Sequence, residues 1–490
     1  MTQRSELRTL ALRTLIPGFT GTSAPPWALD LLAEGLGGYC LFAYNIAEAR
    51  QLTELNASLR QASPDAIIAI DEEGGDVTRL HTATGSPYPG NAALGAVDDP
   101  ELTAAIHQSI GSELVQAGLN LNFAPAVDVN VEDDNPVIGT RSFGRDPQVV
   151  ARHAVAAVTG LQRAGIAACA KHFPGHGATA VDSHLAVPTV DVPLNVLRER
   201  ELVPFAAVIA AGVQVIMSGH IRVPELTGED PSTLSAAAMT GLLRDDLGFD
   251  GVIVTDAMEM QGASGALGLP EAVVQALIAG CDLVCTGGET QKAGPMVGAI
   301  NAIADAICDA VTDGRLPLSR LEAAVARGDA LRAWQAERSD STANRSLGLT
   351  AARRAMQLEG ELPDLSSALI VQIDSPANIA VGDSAWGVTP LLAKRLPEAE
   401  IRHTLAEPQS AAELTAIAAG RPIVVVARDT HRRESARKLV TDLAAAAPVV
   451  LVEMGWPAVW RPEGVTGYLA TYGAASANAH AAVEVLLAER

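Results

Sequence analysis

Positive charge is in short supply in this chain: 35 Lys and Arg stand against 57 Asp and Glu over 490 residues, a formal net charge of −22. That balance repels a nucleic-acid backbone at long range, no basic stripe offsets it, and nucleic acid is not expected as a partner. Cysteine is scarce and odd in number, five in all (Cys40, Cys169, Cys281, Cys285 and Cys308), and most lie inside apolar runs where a free cysteine acts as a small hydrophobe. Disulfides are therefore not expected. No uninterrupted apolar run is long enough to span a bilayer, so a membrane protein is not expected either. Repeats at solenoid periods are missing, as are low-complexity tracts beyond an enrichment in alanine. The segment Met1-Thr2-Gln3-Arg4-Ser5-Glu6-Leu7-Arg8 has neither a signal-peptide core nor a small-residue cleavage site, and a cytoplasmic location is expected. What is left, 48% hydrophobic and 19% charged residues, is the composition of a soluble globular enzyme.

Length and texture predict two domains. The character of the chain changes around residues 336–348, which predicts a first domain over 1–338, a linker over 339–359 and a second domain over 360–490. Before that change, apolar strand-like runs alternate with helix-like segments near 15–19, 38–43, 66–70, 119–124, 166–172, 213–218, 251–255 and 281–286. Eight such units predict an N-terminal (β/α)₈ barrel of the TIM type. After it, apolar runs at 367–372, 422–427 and 448–453 predict a smaller open-sheet α/β domain without a comparable polar cluster.

The residues just past the barrel runs are disproportionately chemical: Asp71-Glu72-Glu73, Asp128, Lys171-His172, His220 and Asp256. In such barrels the carboxyl ends of the strands collect the catalytic groups. The densest stretch, Lys171-His172-Phe173-Pro174-Gly175-His176-Gly177 followed by Asp182-Ser183-His184, puts three histidines, a lysine and an aspartate into fourteen residues. Pro and Gly make it a loop, so its polar groups are free to face a ligand. The second dense signal is Val252-Ile253-Val254-Thr255-Asp256, where mostly β-branched residues carry the chain straight into a carboxylate at a strand mouth.

A carboxylate so held can act as the nucleophile of retaining glycoside hydrolysis, which needs a second group to protonate the leaving oxygen and then activate the acceptor. His184, with Asp182 to orient it, can do both, since imidazole titrates near neutrality. On spacing alone, an Asp-x-His pair in a loop is more often a turn stabiliser than a catalyst.

These motifs resemble those of glycoside hydrolase family 3 β-N-acetylglucosaminidases of the NagZ type, in a two-domain form. The likeness extends over most of the first domain: Leu41-Phe42-Ala43-Tyr44-Asn45, Ile70-Asp71-Glu72-Glu73-Gly74-Gly75 with Arg79, the segment from Asn122 to Val129, the segment from Asn135 to Gly144, the Lys171 loop and the Asp256 strand. The second domain is similar, more loosely, to the C-terminal α/β domain of longer members. The resemblance implies Asp256 as nucleophile, His184 as acid/base, Asp182 as its partner, and Asp71, Arg79, Arg141, Lys171 and His172 as sugar-binding residues. It implies a saccharide carrying terminal N-acetylglucosamine as substrate, derived from peptidoglycan, and no cofactor or metal. Since some members of this subfamily are regarded as phosphorylases, phosphate is the alternative acceptor. The chain departs from the family at Ala178, where Asp is common, and at Glu72 and Asp76, where Gln and Arg are common; Asp76 sets an anion beside the binding strand.

Other readings of the same residues remain open. Asp71 can cap the following helix, and Arg79 can pair with Glu72 or Glu73. His172, His176, Asp182 and His184 can ligate a divalent metal, and Lys171 can form a Schiff base. His220 suits a bond to a loop carbonyl, His176 suits shaping its loop, and Glu259 can orient Asp256 or start the next helix.

Overall fold

A computed structural model of the chain describes residues 2–179, 187–265, 267–287, 296–334, 342–375, 381–397 and 399–488. Eight strands run through the first two thirds of the sequence: Leu15–Pro17 (β1), Gly38–Leu41 (β2), Ile67–Ile70 (β3), Leu121–Asn122 (β4), Ala167–Phe173 (β5), Val215–Ser218 (β6), Val252–Thr255 (β7) and Val284–Thr286 (β8). Strands β2 to β7 form one parallel sheet in chain order, and β1 pairs in parallel with β8. A bridge from Val254 to Leu283 joins the β7 edge to the chain entering β8, while β1 packs beside β2. The strands thus follow one another in the order of a (β/α)₈ barrel, as the alternating apolar runs predict.

Every residue of these eight strands is buried. That is why they read as continuous apolar runs rather than alternating ones, since both faces of a parallel sheet are covered. The inner layer is filled by Ile16, Cys40, Ala69, Leu121, Cys169, Val215, Val254 and Cys285, among others. The helix Pro147–Ala164 that feeds β5 shows how local sequence sets the frame: Asp146 caps it by accepting the Gln148 N–H, Pro147 opens it, and Gly165 closes it at a positive φ of 97°. At the opposite end of the barrel from the carboxyl ends of the strands, the buried Asp282 is consumed by Arg244, Arg320 and Arg327. Its partners make that face one of stability.

The remaining strands form a second sheet: Gln357–Gly360 (β9), Leu369–Ile373 (β10), Glu400–Thr404 (β11), Ile423–Ala427 (β12), Val449–Glu453 (β13) and Gly467–Ala470 (β14), in the order β11-β10-β12-β13-β14-β9. All pairs are parallel except β14 with β9. Apolar layers cover both faces of this sheet.

The expected domain boundaries follow the order of the chain, whereas the compact units do not. One unit comprises residues 1–73, 103–129 and 145–343; the other comprises 74–102, 130–144 and 344–490. Two segments from the barrel portion of the sequence therefore pack as part of the second unit. Among the described residues no helix is long and apolar enough to cross a membrane, and all five cysteines are buried and free.

Candidate active site

The carboxyl ends of β3, β5 and β7 bring Asp71, Lys171 and Asp256 to the same end of the barrel. Lys171, only 2% exposed, places Nζ 2.6 Å from Asp71 Oδ1 and 2.7 Å from Glu73 Oε1. A buried ammonium is tolerable only when matched in this way. Glu73 thus pairs with Lys171, and Arg79 donates to the Val381 carbonyl at 3.4 Å. The lysine acts with Asp71 as a unit rather than as an independent donor, and an ammonium gripped by two carboxylates is unlike the desolvated amine that Schiff-base chemistry uses. Asp71 keeps 20% of its side chain exposed, which leaves it reachable by a ligand.

His172 is aimed by Asp128. Its Nδ1 lies 2.8 Å from Asp128 Oδ2, and the other carboxylate oxygen accepts the backbone N–H groups of His172 at 3.2 Å and His176 at 2.7 Å. A carboxylate can only accept, so Nδ1 carries the hydrogen of this bond. Burial opposes the charge on Asp128, but the His172 imidazole and these hydrogen bonds outweigh it and hold the carboxyl below its ordinary value. The sequence identifies Asp128 only as a polar residue past β4. Its place behind His172 is set by residues 44 positions away.

The loop after β5 turns at Gly175, whose φ is +127° and where a Cβ would fall 2.7 Å from both Cβ and Cγ of Glu201. Only glycine fits there. His176 bonds through Nδ1 to the Thr179 hydroxyl at 2.7 Å, so it shapes the loop. Asp182 and His184 lie outside the described residues. Among the described residues, no group of three or more His, Cys, Asp and Glu side chains is arranged to hold a metal ion.

Asp256 is half-buried directly after β7. Its N–H donates to the Ser218 carbonyl at 3.1 Å, and its Oδ1 accepts the Ala257 N–H at 2.8 Å. The turn beyond it is tied down as well: Met258 N–H donates to the Cys285 carbonyl, and Glu259 Oε2 accepts the Gly287 N–H at 2.8 Å. Glu259 therefore anchors the neighbouring strand end. Burial pushes the Cys169 thiol up, Lys171 works against that rise, and Asp71 and Asp256 add to it. His220, after β6, bonds a loop carbonyl, that of Ala257.

Arg79 and Arg141 belong to the second unit. Arg141 donates to the Val137 carbonyl at 3.2 Å, and its own carbonyl accepts from Asn91 at 2.7 Å. The anion at Asp76 is spent within the same unit: its oxygens receive the Thr140 hydroxyl at 2.8 Å, the Ala474 N–H at 2.8 Å and Arg428 at 3.0 Å. Composition offers no sign of this, because Thr140, Arg428 and Ala474 are remote in sequence.

Comparison with known proteins agrees with the geometry. The family model described as glycosyl hydrolase family 3 N terminal domain matches residues 27–329. A beta-hexosaminidase A from Pseudoalteromonas piscicida is 34% identical over 388 residues, 74% of this chain, and the chain spans 64% of that relative's length. A beta-hexosaminidase from Stenotrophomonas maltophilia (strain R551-3) is 38% identical over 277 residues, covering 55% of this chain and 82% of the relative. The solved structure of a glycoside hydrolase family 3 beta-N-acetylglucosaminidase from Paenibacillus sp. str. FPU-7 superposes with a TM-score of 0.88 at 32% identity, over 99% of this chain and 97% of that one.

Proposed function

Because the chain belongs to glycosyl hydrolase family 3, we propose that it is a retaining exo-β-N-acetylglucosaminidase, acting in the cytoplasm on muropeptides or disaccharides derived from peptidoglycan. The observation that carries this reading is the Asp256 carboxylate, held by backbone bonds at the end of β7, at the same barrel end as the Asp71–Lys171 pair.

In the first step an Asp256 oxygen attacks the anomeric carbon. The bond to the leaving oxygen breaks, and that oxygen takes a proton from His184, which Asp182 orients. The product is a glycosyl-aspartate. In the second step His184 removes a proton from water, the resulting oxygen attacks the anomeric carbon, and Asp256 is released as carboxylate. Asp71 accepts sugar hydroxyls while Lys171 neutralises it, and His172, oriented by its bond to Asp128, is a sugar contact on the motif match. Arg79 and Arg141 are assigned as sugar contacts on the motif match alone.

The test is turnover of an aryl N-acetyl-β-glucosaminide with and without millimolar phosphate, with the sugar product identified by mass. Free N-acetylglucosamine in both conditions supports hydrolysis. N-acetylglucosamine 1-phosphate as the main product keeps the two-step chemistry and makes phosphate the acceptor. His184→Ala should slow substrates with poor leaving groups by about 10²–10⁴-fold and activated aryl substrates far less, because only the former need the proton. Equal losses on both would remove His184 from the acid role.

A further inference from the structure

Resting on the reading of Asp256 as nucleophile, we propose that His220 is a positioning residue that fixes the peptide from which the Asp256 carboxylate is aimed. His220 is 1% exposed and follows β6, the strand beside β7. Its Nε2 lies 3.1 Å from the Ala257 carbonyl oxygen. A carbonyl only accepts, so Nε2 carries the hydrogen. On the other side of the ring, Nδ1 lies 2.9 Å from the Thr233 hydroxyl, whose oxygen sits 2.9 Å from the Ser218 hydroxyl and 3.1 Å from the Gly219 carbonyl oxygen.

The circle closes on the nucleophile. Ser218 accepts the Asp256 N–H through its carbonyl, and Ala257, whose carbonyl His220 holds, donates its own N–H to Asp256 Oδ1. The carboxylate is therefore clamped to a peptide that is tied at one end to Ser218 and at the other to His220. The Ala257 carbonyl also accepts the Met260 N–H at 3.2 Å, so the turn has a second tie and need not collapse when the histidine is replaced. What the ring adds is direction: a planar donor backed by a hydroxyl cannot swing. In-line attack is sensitive to such aim, a displacement of about 1 Å costing on the order of 100-fold in rate.

The isosteres separate this role from simple packing. Gln at 220 can place an N–H near the position of Nε2, whereas Asn reaches only the position of Nδ1. With a dinitrophenyl N-acetyl-β-glucosaminide, whose departure needs no proton, the rate of the glycosylation burst reads the nucleophile directly. We expect His220→Ala and His220→Asn to slow the burst by about 100-fold while inhibition by free N-acetylglucosamine is unchanged, and His220→Gln to recover to within about tenfold of the parent. Thr233→Val keeps the ring and removes its backing, so it should give a smaller loss in the same direction and serves should His220→Ala fail to fold. A Gln variant as slow as the Ala variant, bursts at the parent rate in all the variants, or losses that track weaker product binding would overturn the inference. An active Asp256→Asn enzyme, by contrast, would overturn the reading on which it rests.

Discussion

Asp128 in the first unit and Glu453 in the second are both buried carboxylates at or after the end of a parallel strand, and both accept several hydrogen bonds, yet their electrostatics are opposite. Asp128 receives two backbone N–H groups and the His172 imidazole. Glu453 receives the backbone N–H groups of Asp429, Thr430 and Gly455. Burial raises the Glu453 carboxyl above its ordinary value, the nearby Asp429 carboxylate adds to the rise, and the hydrogen bonds do not outweigh them. At Asp128 the imidazole reverses the balance. The difference shows what sets the charge of a buried carboxylate: an imidazole partner at Asp128, against a second carboxylate near Glu453. Glu453 closes a turn.

The largest expected effect comes from the barrel carboxylate assigned to the chemistry itself. Asp256→Asn should lose on the order of 10⁴-fold or more in kcat with an unchanged Tm, because an amide oxygen does not replace a carboxylate nucleophile. Normal turnover in that variant would end the assignment. Lys171→Met should be next, since it strands Asp71 and Glu73 without their cation; we expect a loss of about 3–5 kcal/mol in denaturant unfolding. Adding Glu73→Gln should return part of it, and a double variant no more stable than the single one would show that the charge pairing is not the cause.

The last two predictions address the comparison directly. Asp128 has a depressed folded value, so the stability it lends is complete above the unfolded value near about 4 and fades as pH falls through the folded one. Asp128→Asn should therefore flatten the acid limb of the unfolding free energy measured by urea titration. Glu453 has a raised folded value, so its contribution is complete below the unfolded value of about 4.3 and is lost as pH rises through the folded one. The difference between Glu453→Gln and the parent should accordingly change with pH in the opposite sense. Slopes of the same sign in the two variants would erase the distinction between the carboxylates.

Much of the barrel was legible because eight apolar runs coincide with strands buried on both faces. In the second sheet, β10, β12 and β13 were legible for the same reason. The strands β9 and β11 were not: Gln357–Gly360 is exposed throughout and Glu400–Thr404 is partly so, and an edge strand with little to bury leaves no apolar signature. Gly467–Ala470 is buried but only four residues long and opens on glycine. In the site, Asp71, Lys171, His172 and Asp256 stood out because each directly follows or ends an apolar run. Glu73 as the partner of Lys171, Asp128 behind His172, and the Thr233–His220–Ala257 tie did not, because each joins residues from different strands or loops.

The order of residues alone determined the alternation of strand and helix, the family to which the chain belongs and the strand ends where polar groups collect, since these depend on local periodicity and contiguous motifs. Tertiary structure decided which of those groups pair, that segments 74–102 and 130–144 pack with the second unit, and that Asp76 and Glu453 are consumed while Asp71 is left reachable. The physical reason is that burial and pairing of a charge depend on atoms brought within about 3 Å from far along the chain.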